Sequence, residues 1–124
     1  MNYRILDMDT FARKDHFDYF RTLAYPYVGV TVTVDVTALV RECKKNQWSF
    51  FLTFLPAAAC AATAIPEFRQ RIRNGGIIEY EVCPTSHTEM KEDGTYCYCT
   101  LHHDMDFPTY LSRAVQQQKA CRIA

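Results

Sequence analysis

Between Val28 and Val34 the chain alternates strictly: Val28, Val30, Val32 and Val34 are separated by Gly29, Thr31 and Thr33. Period two with β-branched residues predicts a half-buried strand. Before it, Phe11, Phe17, Phe20 and Leu23 recur at helical spacing with charges between them, which predicts a helix that Tyr25-Pro26-Tyr27 breaks. After it, Asp35 or Thr37 caps a helix through Leu39, Val40 and Cys43, with Lys44-Lys45-Asn46-Gln47 as its solvated end. Phe50 to Ile65 is apolar on nearly every side and predicts a central buried helix. Its Pro56 is tolerated in the first turn and kinks the helix if deeper. Tyr3 to Leu6 predicts a short first strand, and Ile77 to Cys83 another, after the Asn74-Gly75-Gly76 turn signal. Thr85–Met90 and Thr95–Thr100 flank Lys91-Glu92-Asp93-Gly94, whose Asp-Gly favours a hairpin. Asp106 opens a last helix marked by Tyr110, Leu111, Ala114 and Val115. The order β-α-β-α-α-β-β-β-α is an α+β pattern or part of a mixed sheet.

Length turns this pattern into one domain, residues 1–124, long enough to bury a core without staples. Lys+Arg and Asp+Glu balance at 14 each, so the net charge is zero. That argues against nucleic acid or an acidic membrane surface as partner, since both need a basic excess. It also gives weak colloidal protection and favours self-association. The N-terminus has no signal-peptide pattern, and Phe50–Ile65 is too short to span a bilayer. A cytoplasmic protein with its six cysteines reduced is the expectation.

The densest polar cluster is His102-His103-Asp104-Met105-Asp106, two residues beyond Cys97-x-Cys99. Its spacing fits no metal motif, so no metal is expected; a hairpin strand, a polar loop and an Asp N-cap explain it. His16, on the first predicted helix, reads as a surface or boundary histidine. No phosphate-cradling glycine loop and no local cysteine-nucleophile signature appear.

Several stretches, in order, resemble one family. Phe11-x-Arg13-Lys14-Asp15-His16-Phe17 resembles the opening Trp-x-Arg-Lys-Glu-His-Phe of chloramphenicol O-acetyltransferases. Thr31 to Thr37 falls where that family has a strand ending in Asp-Ile-Thr. Lys45-Asn46 and Phe50-Phe51 fall where it has a basic segment leading to Lys-Phe-Tyr-Pro. Pro66-Glu67-Phe68-Arg69 is similar to its Pro-Glu-Phe-Arg, and Asn74 to Tyr80 to its Asp-Gly-Glu-Leu-Val-Ile-Trp. Asp93-Gly94-Thr95-Tyr96 falls at its Thr-Glu-Thr-Phe.

The resemblance implies a mixed β-sheet with helices packed on one side, the N-terminal part of the CoA-dependent acyltransferase fold. It implies acetyl transfer from acetyl-CoA to a hydroxyl of chloramphenicol or a related acceptor, in a homotrimer with sites between subunits. The family's general base lies in a His-His-x-x-x-Asp-Gly motif near its C-terminus, and its oxyanion serine is also downstream. Neither is met in residues 1–124, so the chain is expected to be C-terminally truncated and inactive alone. The alternative is a non-catalytic self-associating or binding module built on the same fold. His102-x-x-x-Asp106 meets the bare His-x-x-x-Asp pattern but continues with Phe107, leaving His102 a weak catalytic candidate.

By position, Tyr19, Phe20, Ala24, Pro26, Tyr96 and Tyr98 correspond to residues lining the family's acceptor pocket. Tyr98 is larger than its family counterpart. Arg13 corresponds to the arginine that pairs with the motif's aspartate; without it, Arg13 must face solvent or find another acid. Ser49 and Phe51 stand where the family has a CoA-contacting Lys and Tyr.

Overall fold

The valine alternation does not form a ladder. In the computed structural model, which describes residues 1–124, the segment from Ala24 to Val36 carries neither helix nor strand pairing. No backbone amide from Ala24 to Asp35 donates to a backbone carbonyl. Val28 is fully exposed and Val34 still 61% exposed. The predicted strand is therefore corrected. Alternation suits one buried face and a paired backbone, but nothing in these residues supplies either.

The elements are β1 (Tyr3–Ile5), α1 (Lys14–Phe20), α2 (Thr37–Asn46) and α3 (Phe50–Thr63). A short 3₁₀ turn (Pro66–Arg69) leads to β2 (Gln70–Arg73), β3 (Gly76–Tyr80), β4 (Thr85–Met90), β5 (Tyr96–Leu101) and α4 (Phe107–Ile123). The class is α+β. One sheet has the order β1-β3-β2 and a second joins β4 to β5. All pairings are antiparallel, with Tyr3 opposite Tyr80, Gln70 opposite Glu79 and His87 opposite Cys99.

Local chemistry sets the boundaries. Asn74 and Gly75 both hold positive φ, 51° and 76°, the primed turn that a two-residue hairpin between β2 and β3 requires. Between β4 and β5 the loop is longer, Lys91 to Thr95, with Gly94 alone at positive φ (84°) and the Asp93 carboxylate accepting from the Thr95 amide at 2.9 Å. Asp106 caps α4, accepting from the Thr109 amide at 3.0 Å. The Ser49 hydroxyl accepts from the Leu52 amide and caps α3.

α3 is not the buried helix its composition predicts. Leu52, Thr53 and Ala59 are buried, but Phe50, Phe51 and Phe54 are exposed. The helix packs against α2, α4, the 3₁₀ turn and, through Leu52, β5, and these leave its phenylalanine side uncovered. Pro56 lies inside the helix, past its first turn, and leaves the Leu52 carbonyl without its usual amide donor.

The core lies where α3 and α4 meet β5: Leu52, Cys99, Leu101, Tyr110, Ala114 and Cys121. It is small for the chain. A folded monomer of 14.4 kDa exposes roughly 6,800 Å², whereas this chain exposes 9476 Å². The excess is roughly 2,600 Å², and it lies on the exposed valines, on α3 and on α1.

Candidate functional site

The acceptor-pocket candidates fall on two separate elements. Tyr19 and Phe20 end α1, exposed, with rings edge to face at 5.4 Å. Tyr96 and Tyr98 sit two residues apart on β5, so they share a face, and their rings meet edge to face at 5.7 Å. The alternate residues, Cys97 and Cys99, point toward α4, and Cys99 is fully buried. Ala24 and Pro26 lie exposed in the unpaired segment. Neither the cavity beside His102 nor the one between α3 and α4 is lined by any of these six residues.

Arg13 finds another acid. Its guanidinium donates to the Glu67 carboxylate at 2.8 Å, with both side chains about half exposed. The Glu67 backbone amide, then Arg13, hold that carboxyl below the ordinary glutamate range.

His102 is exposed and lines a cavity of about 370 Å³ with Thr100, Arg113 and Gln116. Asp106, the other half of its pattern, is turned to Thr109, whose hydroxyl and amide hold the carboxyl below the ordinary range. The carboxylate thus serves the helix cap rather than orienting His102. Ser49, at the position of a CoA-contacting Lys, is likewise the cap of α3. Phe51, at the position of a Tyr, lies edge to face on the His87 ring at 4.9 Å.

The expectation of fully reduced cysteines is corrected. Cys97 on β5 and Cys121 on α4 form a disulfide, with Cα atoms 6.3 Å apart. Cys43, Cys60, Cys83 and Cys99 remain free thiols. Sequence spacing alone could not pair 97 with 121, because the pairing depends on how α4 lies across the hairpin.

Sequence reasoning also missed Glu89. It is buried on β4 and accepts from His87 Nε2 at 2.9 Å, Gln118 Nε2 at 2.6 Å and Arg122 Nε at 2.9 Å. A signal existed: Thr85, His87 and Glu89 share one face, and that face is the inward one. It was hidden because the outward residues Ser86, Thr88 and Met90 are no more polar. No group of three or more His, Cys, Asp or Glu side chains is placed to share a metal ion.

The family model for chloramphenicol acetyltransferase matches residues 1–122. A chloramphenicol acetyltransferase of Klebsiella sp is 30% identical over 122 residues, covering 96% of this chain and 54% of that protein. One from Streptomyces acrimycini is 28% identical over 109 residues, covering 85% of this chain and 49% of that protein. A solved chloramphenicol acetyltransferase structure superposes with a TM-score of 0.87 at 30% identity, covering 96% of this chain and 56% of its own. The chain spans about half the length of the curated relatives it matches.

Proposed function

We propose, from the premise that this chain belongs to the chloramphenicol acetyltransferase family, that it serves acetyl transfer from acetyl-CoA to a hydroxyl of chloramphenicol or a related acceptor. The match over residues 1–122 carries this reading. Within it, the chain forms a single domain and contributes the acceptor-binding part. The exposed ring pairs Tyr19–Phe20 and Tyr96–Tyr98 offer apolar faces with polar edges, suited to a flat, hydroxylated acceptor. In the transfer, a general base removes the acceptor hydroxyl proton, the oxygen attacks the thioester carbonyl, and CoA leaves as the thiol. A hydroxyl donor stabilises the intermediate oxyanion. The family's His-His-x-x-x-Asp-Gly is not met in residues 1–124. The base is therefore assigned to a segment outside them, not to His102. Ser49 brings no charge to CoA phosphates, so the donor is held more weakly than a lysine there would allow. A homo-oligomer in a cytoplasm completes the reading; no helix of the chain is long and apolar enough to cross a membrane.

The test is release of CoA thiol from acetyl-CoA with chloramphenicol as acceptor. Residues 1–124 alone should give no release above the enzyme-free rate. Fusion to the remaining half of a family member should restore it. Robust turnover by the chain alone would sink the assignment of the base, and His102→Ala would then show whether His102 takes that role. A folded fusion without transfer would count against the acceptor-binding role.

A second reading, an assembly module, rests on the roughly 2,600 Å² of excess surface and on the valines left exposed from Val28 to Val34. Obligate interfaces bury areas of that order. Sedimentation should therefore find a species larger than 14.4 kDa, and Val30→Lys with Val32→Lys should shift it toward the monomer. A clean monomer at every concentration removes this reading.

A further inference from the structure

Cys97 and Glu89 stand directly opposite each other on β5 and β4. The same end of α4 reaches both. Cys121 is bonded to Cys97, while Gln118 and Arg122 donate to the Glu89 carboxylate. The last turns of the helix are therefore tied to the hairpin twice: covalently to β5, and by charge-assisted hydrogen bonds to β4. Only the first tie can be broken and remade by thiol chemistry.

The two sulfurs differ in access. Cys97 is half-buried, whereas Cys121 is only 9% exposed. An external thiol or disulfide therefore meets Cys97 first. Cys99 faces the same side two residues on, but it is fully buried, and burial together with the Glu89 charge holds its thiol above the ordinary range. It stays a thiol and does not compete. Cys43 and Cys60 are free thiols on α2 and α3, and Cys83 is free in the loop after β3. The Cα atoms of Cys97 and Cys121 are 6.3 Å apart, within the span that a disulfide closes without backbone movement. With the bond open, the Glu89 contacts still hold α4 against the hairpin, so the two thiols stay within reach of each other.

We propose that Cys97 and Cys121 form a thiol–disulfide exchange site for glutathione or a similar low-molecular-weight disulfide, with Cys97 as the entry sulfur and Cys121 as the resolving one. In the closing direction the Cys97 thiolate attacks one sulfur of oxidised glutathione, the glutathione S–S bond breaks, and one reduced glutathione leaves. The Cys121 thiolate then attacks Cys97 Sγ and expels the second glutathione as a thiolate, which takes up a proton. Two protein thiols are oxidised and one glutathione disulfide is reduced to two thiols, so electrons and protons balance. Opening is the same sequence reversed. In a reducing compartment the pair rests open. A rise in the disulfide share of the pool closes it and fastens the end of α4 to β5. This chemistry uses none of the residues assigned to acetyl transfer.

The test incubates the reduced full chain in buffers of stepped ratio between reduced and oxidised glutathione, followed by acid quenching, alkylation and peptide mass mapping. The Cys97–Cys121 bond should form as oxidised glutathione rises and open when reduced glutathione is restored. Glutathione on Cys97 should precede the bond in the time course. Cys121→Ser should retain glutathione on Cys97, and Cys97→Ser should take it up on Cys121 about tenfold or more slowly. Amide exchange from Gln118 to Arg122 should run about tenfold or more faster in the open protein than in the closed one. Glu89→Gln should speed that exchange further in the open protein and little in the closed one, because only there is Glu89 the remaining tie. No intramolecular bond at any ratio, a bond that reduced glutathione never opens, glutathione entering Cys121 as fast as Cys97, or equal α4 exchange in the two states overturns the proposal. Should a variant fail to fold, the time course and amide exchange of the unaltered chain decide alone.

Discussion

Reduction of the Cys97–Cys121 bond should lower the chain's stability by about 3 kcal/mol. The bond closes a loop of 24 residues running from β5 through the His102 loop to the last turn of α4. Opening it returns that loop's conformational freedom to the unfolded ensemble, which is the main stabilising effect of such a link. The loss bears on a chain with few other ties at this end. The core that α4 closes has six buried residues, and Cys121 is one of them. Urea unfolding with and without dithiothreitol measures the difference as a shift in midpoint. Cys97→Ser with Cys121→Ser should unfold at the reduced midpoint under both conditions. Thiol titration of the denatured chain should find the four free cysteines before reduction and all six after it. Equal midpoints, or six reactive thiols without reductant, would dismiss the bond. In a cytoplasm, where glutathione keeps most thiols reduced, the reduced stability is the relevant one.

What the sequence made legible follows from the range of each interaction. The turns at Asn74-Gly75 and Asp93-Gly94, the Asp106 cap and the C-terminal end of α2 depend on neighbours a few residues apart and are visible as local patterns, whereas the N-cap of α2 is Val36, without a side-chain cap, and not Asp35 or Thr37. The valine run shows the opposite limit. Alternation states that a backbone suits a sheet, but not which strand lies beside it, and here none does. α3 is similar: an all-round apolar helix wants cover, and its sequence does not name what covers Phe50, Phe51 and Phe54.

The site divides in the same way. Arg13 is expected to face solvent or find another acid; it does both, half exposed and paired with Glu67 from 54 residues away, a pairing only the fold discloses. The ordered family motifs single out Tyr19, Phe20, Tyr96 and Tyr98 as expected acceptor-pocket positions; that each pair stands on its own patch is a feature of the fold.

Glu89→Gln should cost about 2 kcal/mol at neutral pH, and the loss should vanish in acid. The Glu89 carboxylate is the junction between the hairpin and α4, accepting from His87 on its own strand and from Gln118 and Arg122 on the helix. An amide of the same shape keeps one acceptor oxygen and turns an N–H₂ toward donors, so at least one of the three bonds is lost. The effect stays below that of a sealed ion pair, because Arg122 is about half exposed and water screens it. Burial acts to raise the Glu89 carboxyl, but the hydrogen bonds from Gln118, Arg122 and His87 outweigh it and hold the group below its ordinary 4.5. A depressed carboxyl binds its proton more readily in the unfolded chain. Its stabilisation is therefore complete above the unfolded value and disappears as pH falls through the folded one. Glu79, lowered chiefly by the Gln70 hydrogen bond, steepens the same acid limb in both proteins. The informative quantity is thus the difference in urea midpoint between wild type and Glu89→Gln. It should shrink as pH falls below about 5. A difference that persists undiminished to the lowest pH would mean that packing, not the charge-assisted bonds, is what Glu89 contributes.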